Sequence, residues 1–212
     1  MEKRLTSDTL VIDATHPYAA AVTDNLRAAC AKSGARYERL LRPALPYQNC
    51  EIVLNTAAAV DWLNAHPGKV LLTTGSKELE AYTAVQDFQT RLFPRVLPTA
   101  SVLEKCAALG FPGAHIIAMQ GPFSQAMNAA LLRETGAKIL VTKDTGVSGG
   151  FAEKVAAAEE VGAKVLVIAR PRVENGKNQV EMQEFLTDLL GLQPEKVQRI
   201  FTIIGAGMGT AD

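Results

Sequence analysis

This sequence of 212 residues is poor in the features that mark a metal site, a disulfide or a membrane span. Its three histidines and three cysteines are scattered, and none stands at a metal-site spacing such as Cys-x-x-Cys. An odd number of distant cysteines is typical of reduced thiols in a cytoplasmic protein. No apolar run approaches the ~18 residues of a membrane span, and the N-terminus lacks the apolar core of a signal peptide. We therefore expect a cytoplasmic protein without a metal site or a membrane anchor.

An excess of charge of either sign is also missing. The 22 Lys and Arg residues balance the 22 Asp and Glu residues, so the formal net charge is zero with histidine neutral. Nucleic-acid-binding proteins and polybasic membrane anchors need a positive excess on the surface that meets the partner. We therefore expect neither nucleic acid nor a membrane as a partner. The length allows one large domain or two small ones.

Strand patterns alternate with helical patterns along the chain, and the alternation is regular from residue 69 onward. Near-continuous apolar strands are buried on both faces, which is typical of a parallel sheet covered by helices. The predicted fold is therefore α/β, with a doubly wound parallel sheet. Pro94 lies inside one predicted strand, and because proline cannot donate to a sheet ladder we place that strand at an edge. The predicted strands include residues 9–13, 36–42, 69–75, 90–97, 115–120 and 164–170, and the predicted helices include 19–33, 55–65, 125–135 and 179–190.

Four of the predicted strands end in polar turns, at residues 13–17, 73–77, 120–124 and 142–146. All strand C-termini of a parallel sheet lie along one edge, so we expect the four turns to converge there. Together they supply helix N-termini, hydroxyl groups, two lysines and one histidine, which suit a ligand with many carboxylates or phosphates. The stretch 140–150 passes from strand through a glycine-rich turn to a helix, and we expect it to form the floor of this cleft.

Each of these residues also has a purely structural interpretation. Asp13 and Thr15 fit the cap of the helix that follows them. His16 is explained equally well as a structural hydrogen-bonding group and as an acid or base. Lys143 and Asp144 fit an ion pair, and the glycines fit tight turns that need no ligand. The residues alone therefore indicate a cleft and leave its chemistry open.

Five segments carry a joint pattern that is more specific than any one of them. They read Asp-Ala-Thr-His-Pro-Tyr-Ala at 13–19, Leu-Thr-Thr-Gly-Ser-Lys at 72–77, Met-Gln-Gly-Pro-Phe-Ser at 119–124, Val-Thr-Lys-Asp-Thr-Gly-Val-Ser-Gly-Gly at 141–150 with Lys154, and Val-Ile-Ala-Arg-Pro at 167–171. In this order and spacing they resemble the precorrin-6A reductase family of cobalamin biosynthesis, including its cobalt-precorrin-6A branch. The resemblance covers about residues 9–190.

The resemblance implies an oxidoreductase with two Rossmann-like lobes and an active site between them. In such an enzyme NADPH or NADH delivers hydride to one carbon of a ring C=C bond of precorrin-6A or cobalt-precorrin-6A, a tetrapyrrole, and the neighbouring carbon gains a proton. The protein mainly orients the two reactants and supplies the proton.

The resemblance also assigns candidate roles to residues of this sequence. Lys143 and His16 are the candidates for proton delivery or for binding substrate charge. The predicted substrate-binding residues are Thr15, Thr74, Ser76, Lys77, Gln120 and Arg170. The predicted cofactor-binding residues are Thr142, Asp144, Gly146, Ser148, Gly149 and Gly150.

The sequence departs from the family pattern at its start. Members usually begin with a strand and a Gly-Gly-Thr turn, tens of residues before the motif that here begins at Asp13. We therefore expect an N-terminally truncated chain with one complete lobe and part of a second. Residues 1–46 are the predicted remnant of the N-terminal Rossmann-like lobe, and 47–196 are the predicted C-terminal lobe. The alternative is a non-catalytic module that binds a tetrapyrrole or a nucleotide.

The end of the sequence is a second departure. Residues 203–209 resemble the opening strand and loop of a tetrapyrrole methylase, with Met208 where a proline is usual. We therefore expect the tail 197–212 to begin a fused precorrin methyltransferase or to serve handover to one. The alternative is an extension that is disordered or only packs on the fold, and binding of S-adenosylmethionine would support the methyltransferase interpretation.

Overall fold

The structure is a computed structural model that describes residues 5–41, 49–144, 150–170 and 175–191. These residues form two compact units, one of residues 5–41 and 175–191 and the other of residues 49–144 and 150–170. The predicted tail 197–212 lies outside the described residues, as does the turn 145–149. The predicted α/β class with a parallel sheet is confirmed.

Strands and helices alternate along the described chain. The strands are β1 (Leu10–Asp13), β2 (Arg36–Arg39), β3 (Cys50–Val53), β4 (Val70–Leu72), β5 (Leu92–Val96), β6 (Ile117–Ala118), β7 (Ile139–Lys143) and β8 (Lys164–Ile168). The helices are α1 (Ala20–Ser33), α2 (Thr56–Ala65), α3 (Phe88–Arg91), α4 (Ala100–Ala108), α5 (Gln125–Thr135), α6 (Phe151–Val161) and α7 (Gln179–Leu190), with 3₁₀ helices at Leu79–Ala84 and Gly113–His115. The C-caps of α1 and α5 are Gly34 and Gly136 in the left-handed conformation, which is why the sequence predicts these helix ends well.

The larger unit is built on a six-stranded parallel sheet with the order β3-β8-β7-β4-β5-β6. After β4 the chain moves toward the edge strand β6, and after β7 it moves toward the opposite edge. The strand order therefore reverses between β4 and β7, and the gap between them is the topological switch point of the sheet. Because crossovers between parallel strands are right-handed, the two winding directions place their helices on opposite faces.

Apolar side chains on both faces of this sheet hold the layers together. On one face α5 packs against α6, and both cover a buried cluster with the sheet. The helix α2 contacts the 3₁₀ helix Leu79–Ala84, which carries the fully buried Leu79 and Tyr82. Full burial of one such side chain stabilises a fold by roughly 1.5–3 kcal/mol. The α5–α6 cluster contains Leu71, Phe93, Ala129, Leu132, Leu140, Phe151, Ala157, Ala158, Val165 and Val167, among others.

The smaller unit has its own two-stranded parallel sheet of β1 and β2. The helix α7 packs on it through Met182 and Leu186, which form a buried cluster with Leu40. The predicted lobes assign this helix to residues 47–196, whereas the structure packs it in the unit of β1 and β2. The sequence pattern shows that α7 has an apolar side but not which strands that side covers.

Gly176 explains how the chain enters α7 beside β2. Lys177 donates its N–H to the Arg39 carbonyl at 2.8 Å, and Leu41 donates to the Lys177 carbonyl at 2.8 Å. A Cβ on Gly176 would lie 2.5 Å from the Arg39 carbonyl oxygen, so a side chain at this position would force the two segments apart.

The prediction that Pro94 marks a sheet edge is wrong, because β5 lies between β4 and β6. The Val96 carbonyl accepts from the Met119 N–H on the β6 side. The hydrogen-bonding groups of a parallel strand point to alternate neighbours, so the position of the missing N–H of Pro94 faces the same side. The strand β6 begins only at Ile117, opposite Arg95. The proline therefore occupies an interior strand without removing a bond from the ladder.

The prediction that four polar strand ends share one sheet edge is also wrong. The turns after β4, β6 and β7 follow strands of the six-stranded sheet, whereas the turn after β1 follows the separate two-stranded sheet. An apolar run indicates that a strand is buried but does not identify its partner. The edge strand β3, whose residues are half-buried or exposed, was not predicted at all.

Candidate functional site

The switch point between β4 and β7 brings together polar groups from several segments. In open α/β sheets, ligands bind outside the carboxyl ends of the strands at this point. Thr73 ties the two strand ends together, because its N–H and its hydroxyl both donate to the Val141 carbonyl, at 2.9 and 2.8 Å. The residues that follow are Thr74 to Glu78 after β4 and Asp144 after β7. The candidate site thus stands on a hydrogen-bonded part of the sheet edge.

Lys143, at the end of β7, reaches across the switch point. Its Nζ lies 3.0 Å from Oε2 of Glu78, and the Thr56 hydroxyl donates to the same oxygen at 2.8 Å. Burial opposes ionisation of Glu78, but the hydrogen bonds from Lys143 and Thr56 and the Lys143 charge hold the pKa of that carboxyl below its ordinary value. The Lys143 side chain is 16% exposed, so its ammonium is held near the surface of the site.

Two buried hydroxyls at the same place lack a hydrogen-bond partner among the described residues. They are Thr74 Oγ1, just after β4, and the Tyr82 hydroxyl in the 3₁₀ helix. Burial raises the pKa of Tyr82 to about 12, and the Tyr82 hydroxyl is close to Thr74, Thr56 and Glu78 without satisfying hydrogen-bond geometry. An unsatisfied buried hydroxyl costs about 1–3 kcal/mol, so such groups in a cleft indicate a polar ligand.

Asp144 and Arg170 form a second ion pair at the same sheet edge, after β7 and β8. Arg170 Nε lies 2.7 Å from Asp144 Oδ2, and its second contact, from Nη2 to Oδ1, is 3.4 Å. The Asp144 side chain is fully buried and that of Arg170 is 16% exposed. The predicted ion pair between Lys143 and Asp144 is therefore corrected, because each of the two residues has a different partner. Neighbouring residues of a strand point to opposite faces, so Lys143 and its chain neighbour diverge.

The other predicted residues of the larger unit differ in accessibility. Ser76 is half-buried, and its carbonyl and that of Lys77 accept hydrogen bonds from Lys105 Nζ at 2.9 and 3.3 Å. The side chains of Lys77 and Gln120 are exposed. Thr142 is fully buried, and its hydroxyl donates to the Lys143 carbonyl at 3.3 Å. Of the other predicted cofactor-binding residues, Gly150 is the N-cap of α6, while Gly146, Ser148 and Gly149 lie outside the described residues.

In the smaller unit a buried network surrounds Asp13 at the end of β1. Its Oδ1 accepts from Arg39 Nη1 and from the Thr15 hydroxyl, both at 2.7 Å, and its Oδ2 accepts from the Tyr37 hydroxyl at 2.7 Å. Burial opposes ionisation, but the hydrogen bonds from Tyr37 and Thr15 and the Arg39 charge hold the pKa of Asp13 below its ordinary value. The predicted capping role is wrong: the N-cap of α1 is Ala19 and has no side-chain hydrogen bond. Asp13 and Thr15 instead fix the turn itself.

This turn also orients His16. The Tyr18 N–H donates to His16 Nδ1 at 3.2 Å, which in the neutral ring leaves the proton on Nε2. The side chain is half-buried. His16 and Thr15 belong to the smaller unit, whereas Lys143 belongs to the larger one.

A pair of buried cations at the ends of β5 and α6 was not assigned a role from the sequence. Arg95 donates to Asn128 Oδ1 at 2.8 Å and stacks over the Phe123 ring at 4.2 Å. Burial lowers the pKa of Arg95 to about 10. Burial, together with the nearby Arg95 charge, lowers the pKa of Lys154 to about 8. The two residues are 59 positions apart in sequence, so local sequence gives no signal that the Arg95 charge acts on Lys154.

The sequence matches known proteins over most of the chain. The family described as Precorrin-6x reductase CbiJ/CobK matches residues 3–189. The chain belongs to this family. It is 37% identical over 171 residues to the cobalt-precorrin-6A reductase of Priestia megaterium, covering 78% of this chain and 67% of that protein. It is 41% identical over 171 residues to the cobalt-precorrin-6A reductase of Methanothermobacter thermautotrophicus, covering 77% of this chain and 55% of that protein.

A solved structure of the precorrin-6A reductase CobK agrees in fold. It aligns with a TM-score of 0.68 at 27% sequence identity, covering 85% of this chain and 73% of that chain. The resemblance stated from the sequence motifs is therefore confirmed. The chain spans between about half and two thirds of the length of the two curated relatives named above. None of the helices that the structure describes is long and apolar enough to cross a membrane.

Proposed function

We propose that this member of the precorrin-6x reductase family reduces a ring C=C bond of precorrin-6A or cobalt-precorrin-6A in cobalamin biosynthesis, with NADPH or NADH as the hydride donor. The observation that carries the proposal is the set of polar groups at the switch point. A held ammonium, an arginine and two unsatisfied hydroxyls lie where open α/β sheets bind ligands. The names of the curated relatives support the choice of substrate.

The switch-point residues suit a tetrapyrrole with many carboxylates. Lys143 and Arg170 supply positive charge, and Thr74 supplies a buried hydroxyl that a ligand oxygen would satisfy. Charge-assisted hydrogen bonds of this kind are roughly twice as strong as neutral ones. Lys77, Gln120 and Ser76 would add contacts from other turns of the larger unit.

The described residues fit a nicotinamide dinucleotide in one respect. Gly150 adopts φ 66° as the N-cap of α6. A Cβ there would make only ordinary contacts, 4.0 Å from the Phe123 carbonyl and 3.7 Å from Glu153 Oε2, so it is the positive φ that favours glycine at this position. Backbone N–H groups at a helix N-terminus suit a phosphate. Gly150 with Thr142, Asp144, Gly146, Ser148 and Gly149 is the segment that would hold the cofactor, which supplies the hydride when bound.

The chain itself supplies orientation and a proton. Lys143 Nζ lies 3.0 Å from Glu78 Oε2 at the end of β7, and this ammonium is our first candidate for the donor to the ring carbon next to the reduced one. His16, with its ring proton on Nε2, is the second candidate. Positioning two reactants correctly supplies a large part of the rate gain of such enzymes, and general acid catalysis contributes roughly 10²–10⁴-fold more.

The direct test is oxidation of NADPH or NADH by this chain in the presence of precorrin-6A or its cobalt form. We expect substrate-dependent loss of the reduced nicotinamide absorbance together with formation of the dihydro tetrapyrrole. Separate titrations with each tetrapyrrole and with NADPH report binding without turnover. Failure to bind either tetrapyrrole would overturn the proposal.

The second candidate function is a non-catalytic tetrapyrrole-binding module. It draws on the same switch-point groups, which suit a ligand with many carboxylates whether or not a cofactor binds. Tight tetrapyrrole binding without any NADPH or NADH binding or oxidation would establish this candidate and exclude the first. Handover to a precorrin methyltransferase remains a prediction, and co-purification of the two proteins in the presence of the reduced tetrapyrrole is its test.

A further inference from the structure

Glu78 forms an ion pair with Lys143, whose ammonium is proposed above as proton donor or substrate anchor. It lies just before the 3₁₀ helix Leu79–Ala84, on the segment that leaves β4, whereas Lys143 ends β7. The contact between them at 3.0 Å spans the switch point. No sequence motif pointed to Glu78, since it is separated from Lys143 by more than sixty residues.

The Glu78 carboxylate is anchored on its other side. The Thr56 hydroxyl donates to Oε2 at 2.8 Å, and Thr56 is itself buried at the first position of α2. The cap of that helix is provided by Asn55, whose side chain accepts from the Ala58 N–H, so the Thr56 hydroxyl is not needed for capping. One carboxylate oxygen thus receives two donors from two different segments.

This anchoring distinguishes the contact from an ordinary surface ion pair. An exposed lysine–glutamate pair samples many rotamers and contributes little. Glu78 is 49% exposed, but the Lys143 side chain is only 16% exposed and the carboxylate has a second, buried donor, so the ammonium is more restricted than in a fully exposed pair. An ammonium carries three N–H donors, so it holds Glu78 and a ligand oxygen at the same time.

We propose that Glu78 is a positioning residue, which holds the Lys143 ammonium at the switch point in the orientation that meets the tetrapyrrole. The proposal rests on the proposed function, because the role of Lys143 does. Glu78 does not itself bind the substrate in this scheme. Glu78 affects substrate binding only through Lys143. A substitution of Glu78 should therefore have no effect on binding once Lys143 is removed, whereas a contribution to folding would persist.

A double-mutant cycle tests this inference. Glu78→Gln keeps an acceptor for Thr56 and removes the charge, and Lys143→Met removes the ammonium. We measure tetrapyrrole dissociation constants and, with NADPH, kcat and KM for the wild type, both single variants and the double variant. Glu80→Gln is the matched control, because Glu80 is an exposed residue of the 3₁₀ helix that begins directly after Glu78.

We expect Glu78→Gln to weaken binding or turnover roughly 2- to 5-fold, in the same kinetic parameter as Lys143→Met. In the Lys143→Met background the same change should have no effect, and Glu80→Gln should have none in either background. Losses that multiply in the double variant would overturn the inference and leave the proposed function intact. Tighter tetrapyrrole binding by Glu78→Gln would also overturn it, because the carboxylate would then compete with the ligand. A wild-type chain that binds no tetrapyrrole overturns the proposed function instead.

Discussion

Replacing Lys143 with methionine should separate the binding role of this residue from its contribution to the fold. Methionine keeps an unbranched, flexible side chain of similar length and removes the charge. The side chain lies at the end of an interior strand and its Nζ contacts Glu78 at 3.0 Å. The substitution removes both the contact with Glu78 and the contact with a carboxylate of a bound tetrapyrrole. The loss of folding stability can therefore be compared with the loss of binding affinity.

The structure predicts that the two losses differ in size. Glu78 is 49% exposed, so solvent screens the pair and its removal should cost at most about 1 kcal/mol of unfolding free energy. For a protein of this length that corresponds to roughly 2–4 °C in Tm. A hydrogen bond from an ammonium to a ligand carboxylate contributes roughly 1.5–3 kcal/mol. We therefore expect tetrapyrrole binding to weaken about 10- to 100-fold.

The assay pairs thermal unfolding with fluorescence titration of a stable tetrapyrrole polycarboxylate such as uroporphyrin. The matched control is Lys164→Met, because Lys164 is an exposed lysine at the opposite, N-terminal end of the neighbouring strand β8. The control should change neither binding nor Tm appreciably. If Lys143→Met lowers stability by as much as it lowers binding, or if the control weakens binding equally, the role assigned to Lys143 is wrong.

Three further predictions concern other buried polar groups. Asp13→Asn should cost about 3–5 kcal/mol of unfolding free energy at neutral pH, because it removes the carboxylate charge that the buried Arg39 contacts at 2.7 Å. The pKa of Asp13 is lowered in the folded state, so the stabilisation from its charge is complete above the ordinary value of 3.8 and is lost as the pH falls through the lowered pKa. In acid, the unfolding free energies of the variant and the wild type should therefore differ less than at neutral pH. The pKa of Lys154 is about 8 in the folded state and ordinarily 10.5, so wild-type stability should rise with pH between these two values. Lys154→Met should remove this rise and increase the unfolding free energy at neutral pH, measured by urea denaturation, by roughly 3 kcal/mol. Tyr82→Phe removes a buried hydroxyl without a partner and should raise the unfolding free energy by about 1 kcal/mol in the same assay, whereas a loss would show that the hydroxyl is satisfied in solution.

The parts of the fold that sequence predicted well are those that local chemistry determines. The ends of α5 and α7 follow from Ser124, Gly136, Asn178 and Gly191, which cap helices through their own side chains or left-handed conformations. The buried strands β4, β7 and β8 follow from apolar runs that only a doubly covered sheet explains. No tertiary contact is needed to derive either feature.

The sequence-based predictions are wrong where a residue distant in sequence determines the local structure. Pro94 is tolerated in an interior strand because β6 begins one residue later, and that depends on pairing register. The turn at Asp13 is held by Arg39 and Tyr37 from another strand, which outweighs the local preference for a helix cap. In the candidate site, the motifs named Lys143, Asp144 and Arg170, but the pairing of Lys143 with Glu78 and of Arg170 with Asp144 became visible only through packing.

The ion pairs also bear on how the site would attract its ligand. Both cations proposed to meet the tetrapyrrole, Lys143 and Arg170, already contact carboxylates of the chain itself, and the chain as a whole has no net charge. Long-range electrostatic steering toward this edge of the sheet should therefore be weak. The internal carboxylates instead fix the positions of the cations before a ligand arrives, which reduces the ordering cost of binding. On this view, recognition at the switch point depends on preorganised short-range hydrogen bonds, and the acidic partners are as much a part of the site as the cations they hold.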